Sequence, residues 1–341
     1  MIKTIFKACA PVIDLLLAPF VAASGWLLLM ARRLGLARLP VSKRILLSIG
    51  VYPLRDHYYE PLFDTRHLRY PLSEVRSLPG IDLDEPRQLR LVEDLARAGY
   101  AAELQDLPFG PTGRVEFHFN NGAFESGDAE FWYAVVRHFK PKRIIEIGSG
   151  NSTLMARRAV VRNRADDPAY QCRHTCVEPY EMDWLERCEV EVIRRRVEEL
   201  DPSFFAVLEE NDILFIDSSH MIRPQGDVLF EFLQVLPLLR PGVIVHVHDI
   251  FTPRDYLAKW VETETKFWNE QYLLEAFLGH NRDWQVLAAL NFLQHGHPER
   301  LRRVCPYLDD SREPGSFYLQ RRLASDPAPN QSDTHQGNAL T

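Results

Sequence analysis

Apolar positions between residues 143 and 320 fall in short blocks, separated by longer stretches with helical spacing. Residues 144–147 are an apolar run interrupted only by Glu146, and further runs follow at 174–178, 190–194, 213–216 and 243–247. Short runs of this kind, bounded by Gly, Pro or charged residues, read as strands of a buried parallel sheet. The intervals between them suit crossover helices. Residues 152–161 fit one, and residues 226–239 fit another, with Val228, Leu229, Phe232, Leu233, Val235 and Leu236 forming one stripe. Residues 129–139 and 266–278 read the same way, and 284–290 and 316–319 read as two late strands. The alternation predicts an α/β fold with a mostly parallel sheet.

The first strand runs directly into Gly148-Ser149-Gly150, and a helix begins at Ser152 and Thr153. Strand, glycine turn and helix start together make a nucleotide cradle, because glycines let the backbone approach a ligand and the helix start offers free N–H groups. A dinucleotide fingerprint would place a third glycine where Thr153 stands. Acids then recur where the runs end. Glu178 closes the second run just before Pro179, Glu198 follows the third, Asp217 ends the fourth, and His248-Asp249 ends the fifth. Ligands of open α/β sheets bind outside the carboxyl ends of the strands. Glu146, Glu178, Asp217 and Asp249 therefore converge on one edge.

The Glu146-x-Gly148-x-Gly150 turn resembles motif I of the class I S-adenosylmethionine-dependent methyltransferases. The resemblance covers residues 120–322 and implies a Rossmann-like seven-stranded sheet with helices on both faces and the last strand inserted antiparallel. It implies S-adenosylmethionine as cofactor, held by Glu146, Gly148, Ser149, Gly150, Ser152, Thr153, Glu178, Glu198 and Asp217. The segment Asp217-Ser-Ser-His220 resembles the D-x-x-H segment of macrocin-type sugar O-methyltransferases, which are metal-dependent. That likeness implies His220 as the base for an acceptor hydroxyl, and Asp217, Asp249 and His248 around Mg²⁺ or another divalent cation. His248 stands where that pattern has an acid, so a metal-free mechanism is also open. The acceptor class implied is a small molecule or glycan, with a sugar of a lipid-linked or polysaccharide substrate foremost. A nicotinamide-dependent oxidoreductase and a non-catalytic, membrane-bound cofactor-binding protein are the alternatives. His246 alternates with His248 and reads as a satisfied core histidine.

Residues 1–44 differ in kind. Positions 8–30 are apolar apart from Asp14, with Pro11 and Pro19 inside, and Arg32, Arg33, Arg38, Lys43 and Arg44 follow. About 20 apolar residues suffice to span a bilayer, and the basic flank places the following chain in the cytoplasm. The expectation is a membrane-lipid anchor at 1–44 with the catalytic domain facing the cytoplasm. A cleaved signal peptide ending near Ala22-Ala23-Ser24 and a helix lying in the interface are the competing readings. Residues 45–119 are expected to be an accessory region or substrate lid, including a helix over 89–98. Residues 323–341, rich in Ser, Asp, Asn, Pro and Gln, are expected to be disordered.

The net charge of −7 argues against a nucleic-acid partner, which needs a basic surface. Five scattered cysteines give no disulfide framework. Cys172, His174 and Cys176 alternate along one strand, but a zinc site there would need ligands from elsewhere, and free thiols are the simpler reading.

Overall fold

The computed structural model describes residues 2–180 and 182–323. The tail expected to be disordered lies, from residue 324 on, outside the described residues. The chain divides into two compact units, Met1–Arg69 and Tyr70–Thr341. The division falls inside the span read as one accessory region, so residues 70–119 belong to the larger unit. Their polar contacts show why. Gln88 accepts a hydrogen bond from the Ala289 backbone at 2.8 Å, and Arg76 grips Glu275 through its two terminal guanidinium nitrogens.

In the smaller unit, α1 (Ile2–Leu34) carries the apolar segment and continues through both prolines. Within it, Ala10–Leu34 is long and apolar enough to cross a bilayer, a property that signal sequences share. Gly35, at φ 89°, turns the chain into α2 (Pro40–Ile49), which buries none of its residues. The sequence pattern gave no warning of α2.

The larger unit is built on seven strands: β1 (Arg143–Ile147), β2 (Arg173–Val177), β3 (Glu191–Ile193), β4 (Ile213–Ile216), β5 (Ile244–Val247), β6 (Trp284–Ala289) and β7 (Phe317–Arg321). Their order is β3-β2-β1-β4-β5-β7-β6. The first five run parallel, and β7 lies antiparallel between β5 and β6. One face is covered by α3 (Glu85–Ala98), α4 (Asp128–Phe139), α5 (Asn151–Asp166), α8 (Leu290–Gly296) and α9 (Pro298–Leu301). The other is covered by α6 (Asp227–Phe230), its continuation as a π-turn over Glu231–Val235, and α7 (Glu270–Leu278). Apolar burial on both faces explains why the strands read as continuous apolar runs.

Two helices differ from the pattern. The helix expected over 226–239 tightens into a 3-10 turn at Leu236–Leu238, where Pro237 has no N–H to donate. The helix expected from 266 starts only at Glu270. Residues 266–269 take other hydrogen bonds instead. The Lys266 amide reaches the Trp260 carbonyl and the Asn269 amide reaches the His220 carbonyl. Tertiary partners outweigh the local helical spacing.

Candidate active site

Register places one transverse row on the sheet. Cys176 pairs with Glu146, Glu146 with Phe215, Phe215 with His246, and His246 with Tyr318. His246 is fully buried and stacks on Tyr318 with ring centroids 4.2 Å apart. It is a core histidine, as expected, but neither ring nitrogen has a hydrogen-bond partner among the described residues.

The glycine turn lies at the carboxyl end of β1. Gly148 has φ 77°, and a Cβ there would sit 1.9 Å from the Asp217 carbonyl oxygen. This glycine is required by the close approach of β4, before any ligand is considered. Gly150 differs, since its nearest neighbour would be the Met182 methyl at 3.6 Å. Thr153 uses the position of the missing third glycine. Its hydroxyl accepts the Gly150 N–H at 3.1 Å and donates to Glu146 at 2.5 Å. Glu146 is thus wholly buried beneath the turn and steadies it from below. Ser152, also buried, accepts the Trp132 indole N–H through its carbonyl. Glu178 faces the turn, accepting from the Ser149 amide at 3.3 Å and the Tyr180 amide at 2.9 Å. Glu198 is half-buried in the 3-10 turn Val197–Glu199 that follows β3.

Beside the cradle, β4 and β5 end together, with Ile216 opposite Val247. That register brings Asp217, His220, His248 and Asp249 into one cluster. His220 Nε2 lies 3.3 Å from Asp217 and 3.5 Å from Asp249, and its Nδ1 lies 2.8 Å from Glu270. His248 Nδ1 lies 3.5 Å from Asp217 and 3.4 Å from Asp249, and its Nε2 lies 3.6 Å from Asp128. His220 and Asp249 both take left-handed backbone, at φ 58° and 59°. Such strain costs about 1–3 kcal/mol per residue and gathers at functional sites.

Two members escaped the sequence reading. Asp128 opens α4 and anchors the loop before β7, accepting from the Gly315 and Ser316 amides. Its only signal was the Gly127-Asp128 helix start. Glu270 sits inside a predicted helix, fifty residues from the imidazole it orients, and nothing local marks it.

Charge binds the cluster. Burial pushes the His220 pKa down, but Asp217, Glu270 and Asp249 outweigh it and hold the imidazole well above its ordinary value. His248 is raised in the same way by Asp249, Asp217 and Asp128 against burial. The Asp217 carboxyl, although burial opposes it, is held far below the carboxylate range by His248 and His220. Burial raises Asp249 and Glu270.

Ligand atoms of Asp217, His248 and Asp249 all lie within 4.8 Å of one another. Neither nitrogen of His248 has a hydrogen-bond partner among the described residues. Two carboxylates and one imidazole fit a divalent ion, with the nitrogen shifting preference from Mg²⁺ toward softer ions.

The family described as a methyltransferase domain matches residues 145–250, from β1 to just beyond β5. The chain is 32% identical over 170 residues to a protein of Archaeoglobus fulgidus described as uncharacterized, covering 46% of this chain and 74% of that one. Among solved structures it is similar to an O-methyltransferase from Bacillus cereus in complex with SAH, at 16% identity over 69% of this chain and 91% of that one, with a TM-score of 0.33. It is similar to a TDP-rhamnose 3'-O-methyltransferase of calicheamicin biosynthesis at 15% identity over 72% and 99%, with a TM-score of 0.37. It is also similar to a mycinamycin-pathway methyltransferase in complex with Mg and SAH at 14% identity over 56% and 49%, with a TM-score of 0.30. This chain belongs to the class I S-adenosylmethionine-dependent methyltransferases. Its cofactor is S-adenosylmethionine, and the nicotinamide reading falls away.

Proposed function

We propose that the protein transfers a methyl group to a hydroxyl oxygen of a sugar carried by a lipid-linked or polysaccharide substrate, working at the cytoplasmic face of a membrane. The carrying observation is the position of His220, held among Asp217, Asp249 and Glu270 beside the glycine cradle. S-adenosylmethionine supplies an electrophilic methyl group when bound. Gly148, Ser149, Gly150, Ser152, Thr153 and Glu178 would shape its site, with Glu146 steadying the turn from below and Glu198 and Asp217 at its margins.

The residues of this chain have three tasks. Glu270 fixes the His220 ring through Nδ1, which leaves Nε2 aimed at Asp217 and Asp249. A neutral Nε2 takes the proton of an acceptor hydroxyl placed there, as the oxygen gains its bond to carbon. Asp217, Asp249 and His248 would hold a divalent cation, which would supply positive charge and a fixed position for the acceptor oxygen.

An aromatic wall supports the sugar reading. Trp268 packs against His220 with centroids 4.3 Å apart, and Trp260 packs against Trp268 at 5.0 Å. Lys266 Nζ lies over both indoles, at 4.2 and 3.9 Å from their centroids. Flat aromatic faces beside a polar cluster suit the C–H face and hydroxyl rim of a pyranose. Residues 10–34 and the basic flank after them support membrane attachment.

The test is calorimetric titration with S-adenosylhomocysteine, paired with methyl transfer from labelled donor to membrane glycolipid fractions. Binding of the sulfur ligand with turnover on a sugar hydroxyl is expected. Binding without turnover on any fraction would favour the non-catalytic alternative.

A further inference from the structure

We propose that the adjacent strands β1 and β2 hold a second metal site, distinct from the Asp217 cluster, in which Glu146, His174 and Cys176 bind a borderline-soft ion of the zinc class. Parallel pairing puts Ile144 opposite His174 and Glu146 opposite Cys176. Residues 144, 146, 174 and 176 therefore share one face of the sheet. β1 thus supplies the ligand that the Cys-His alternation in β2 lacks by itself.

The geometry suits a small tetrahedral ion. Glu146 Oε2 lies 3.1 Å from His174 Nε2 and 3.5 Å from Cys176 Sγ, and the three ligand atoms all fall within 4.8 Å of one another. Zinc–ligand bonds of about 2.0–2.3 Å put neighbouring tetrahedral ligands about 3.3–3.7 Å apart. The side chains of Glu146 and His174 have no exposed surface.

Unmet bonding capacity marks the place independently. Both nitrogens of His174, Glu146 Oε1 and the Ser149 hydroxyl lack hydrogen-bond partners among the described residues. Buried polar atoms are almost always paired, so these unpartnered atoms ask for an explanation. The Glu146–His174 contact is close, but its direction does not satisfy the imidazole. A bound dication would engage the nitrogen and carboxylate together.

Charge also balances. One carboxylate and one thiolate neutralise one dication, with His174 as a neutral ligand. Binding converts the Cys176 thiol to thiolate and releases its proton to solvent. Sulfur separates this site from the Asp217–His248–Asp249 set, whose donors are oxygen and nitrogen. The ion would brace the donor cradle from beneath, because Glu146 accepts from Thr153 and Thr153 caps the Gly150 amide.

Cobalt(II) distinguishes the two sites, since only a thiolate ligand gives a near-ultraviolet sulfur-to-metal charge-transfer band. The full-length chain, stripped with chelator, is titrated with Co²⁺ and then with Zn²⁺. About one equivalent of Co²⁺ should produce that band, with strong visible absorption of tetrahedral geometry, and Zn²⁺ should abolish both. Cys176→Ser should lose the band, His174→Gln should weaken Co²⁺ binding at least about tenfold, and Asp249→Asn should leave the band unchanged. No band in the wild type, or an undiminished band in Cys176→Ser, would overturn the proposal. Should Cys176→Ser misfold, the wild type still decides: Zn²⁺ must raise its Tm more than that of His174→Gln, and an equal rise or none refutes the site.

Discussion

Glu270 and His220 meet through a 2.8 Å contact between Oε2 and Nδ1, across fifty residues of sequence. The imidazole thereby has one nitrogen committed to orientation and the other free for chemistry. Replacing His220 by Ala should lower turnover by about 10²–10⁴-fold with little change in S-adenosylhomocysteine affinity. Single-turnover methyl transfer and calorimetry measure the two separately. Near-normal turnover would remove His220 as the base.

The same pair sets a pH dependence. The His220 pKa stands well above its ordinary value because Asp217, Glu270 and Asp249 outweigh the burial that pushes it down. A base must be unprotonated, so the rate should rise with pH through a limb lying above about 6.5. Glu270→Gln withdraws a stabilising negative charge and should move that limb to lower pH. A limb that stays put in Glu270→Gln, measured as kcat against pH, would show that another group titrates.

The two turn glycines should behave differently. Gly148→Ala sets a methyl against the Asp217 carbonyl and forces a side chain onto φ 77°, so it should lower Tm by several degrees and abolish cofactor binding together. Gly150→Ala meets only the Met182 methyl at 3.6 Å, so it should fold with near-native Tm. Any loss of S-adenosylhomocysteine binding in Gly150→Ala would then report contact with the ligand. Equal thermal destabilisation of both variants would contradict this division.

Away from the site, Arg137 is buried and pairs with Glu103 at 2.8 Å and Asp166 at 2.6 Å. Burial pushes the Glu103 pKa up, but hydrogen bonds from Arg137 and Tyr133 overcome it and leave the group below its ordinary value. The folded state therefore binds this proton less readily than the unfolded state. The stabilisation is complete above the unfolded value of about 4.3 and is lost as pH falls through the lower folded one. Arg137→Met should cost about 2 kcal/mol near neutrality, discounted for the partial exposure of its partners. It should also flatten the acid limb, and denaturant melts at pH 6 and pH 3 would reveal a failure of either effect.

Location is tested by fractionation. The full chain should sediment with membranes and resist high salt, whereas a chain starting at Tyr70, where the larger compact unit begins, should remain in the supernatant and bind S-adenosylhomocysteine. A soluble, lipid-free full-length chain with Met1 retained would refute the anchor.

The strand ends were legible because strand boundaries coincide with abrupt chemistry. Glu178-Pro179, Asp217 and His248-Asp249 each follow an apolar run, and each stands where β2, β4 or β5 stops. The orientation of Glu146 was not legible. Whether a carboxylate in a strand faces the cradle or the sheet depends on neighbours such as Thr153 and His174, which only pairing register supplies. Glu270 was hidden for a related reason. The chain at 266–269 abandons helical spacing for hydrogen bonds to His220 and Ile222, and no local pattern encodes that choice. The close approach of the Asp217 carbonyl to Gly148 was not legible either, because it comes from a strand nearly seventy residues further on.

The antiparallel insertion of β7 between β5 and β6 gives the molecule an order in time. The sheet stays open along the edge of β5 until residues 317–321 have been translated. Asp128 likewise waits for the amides of Gly315 and Ser316. Closing the sheet and completing the cluster at its edge are therefore late events, set by the last strand.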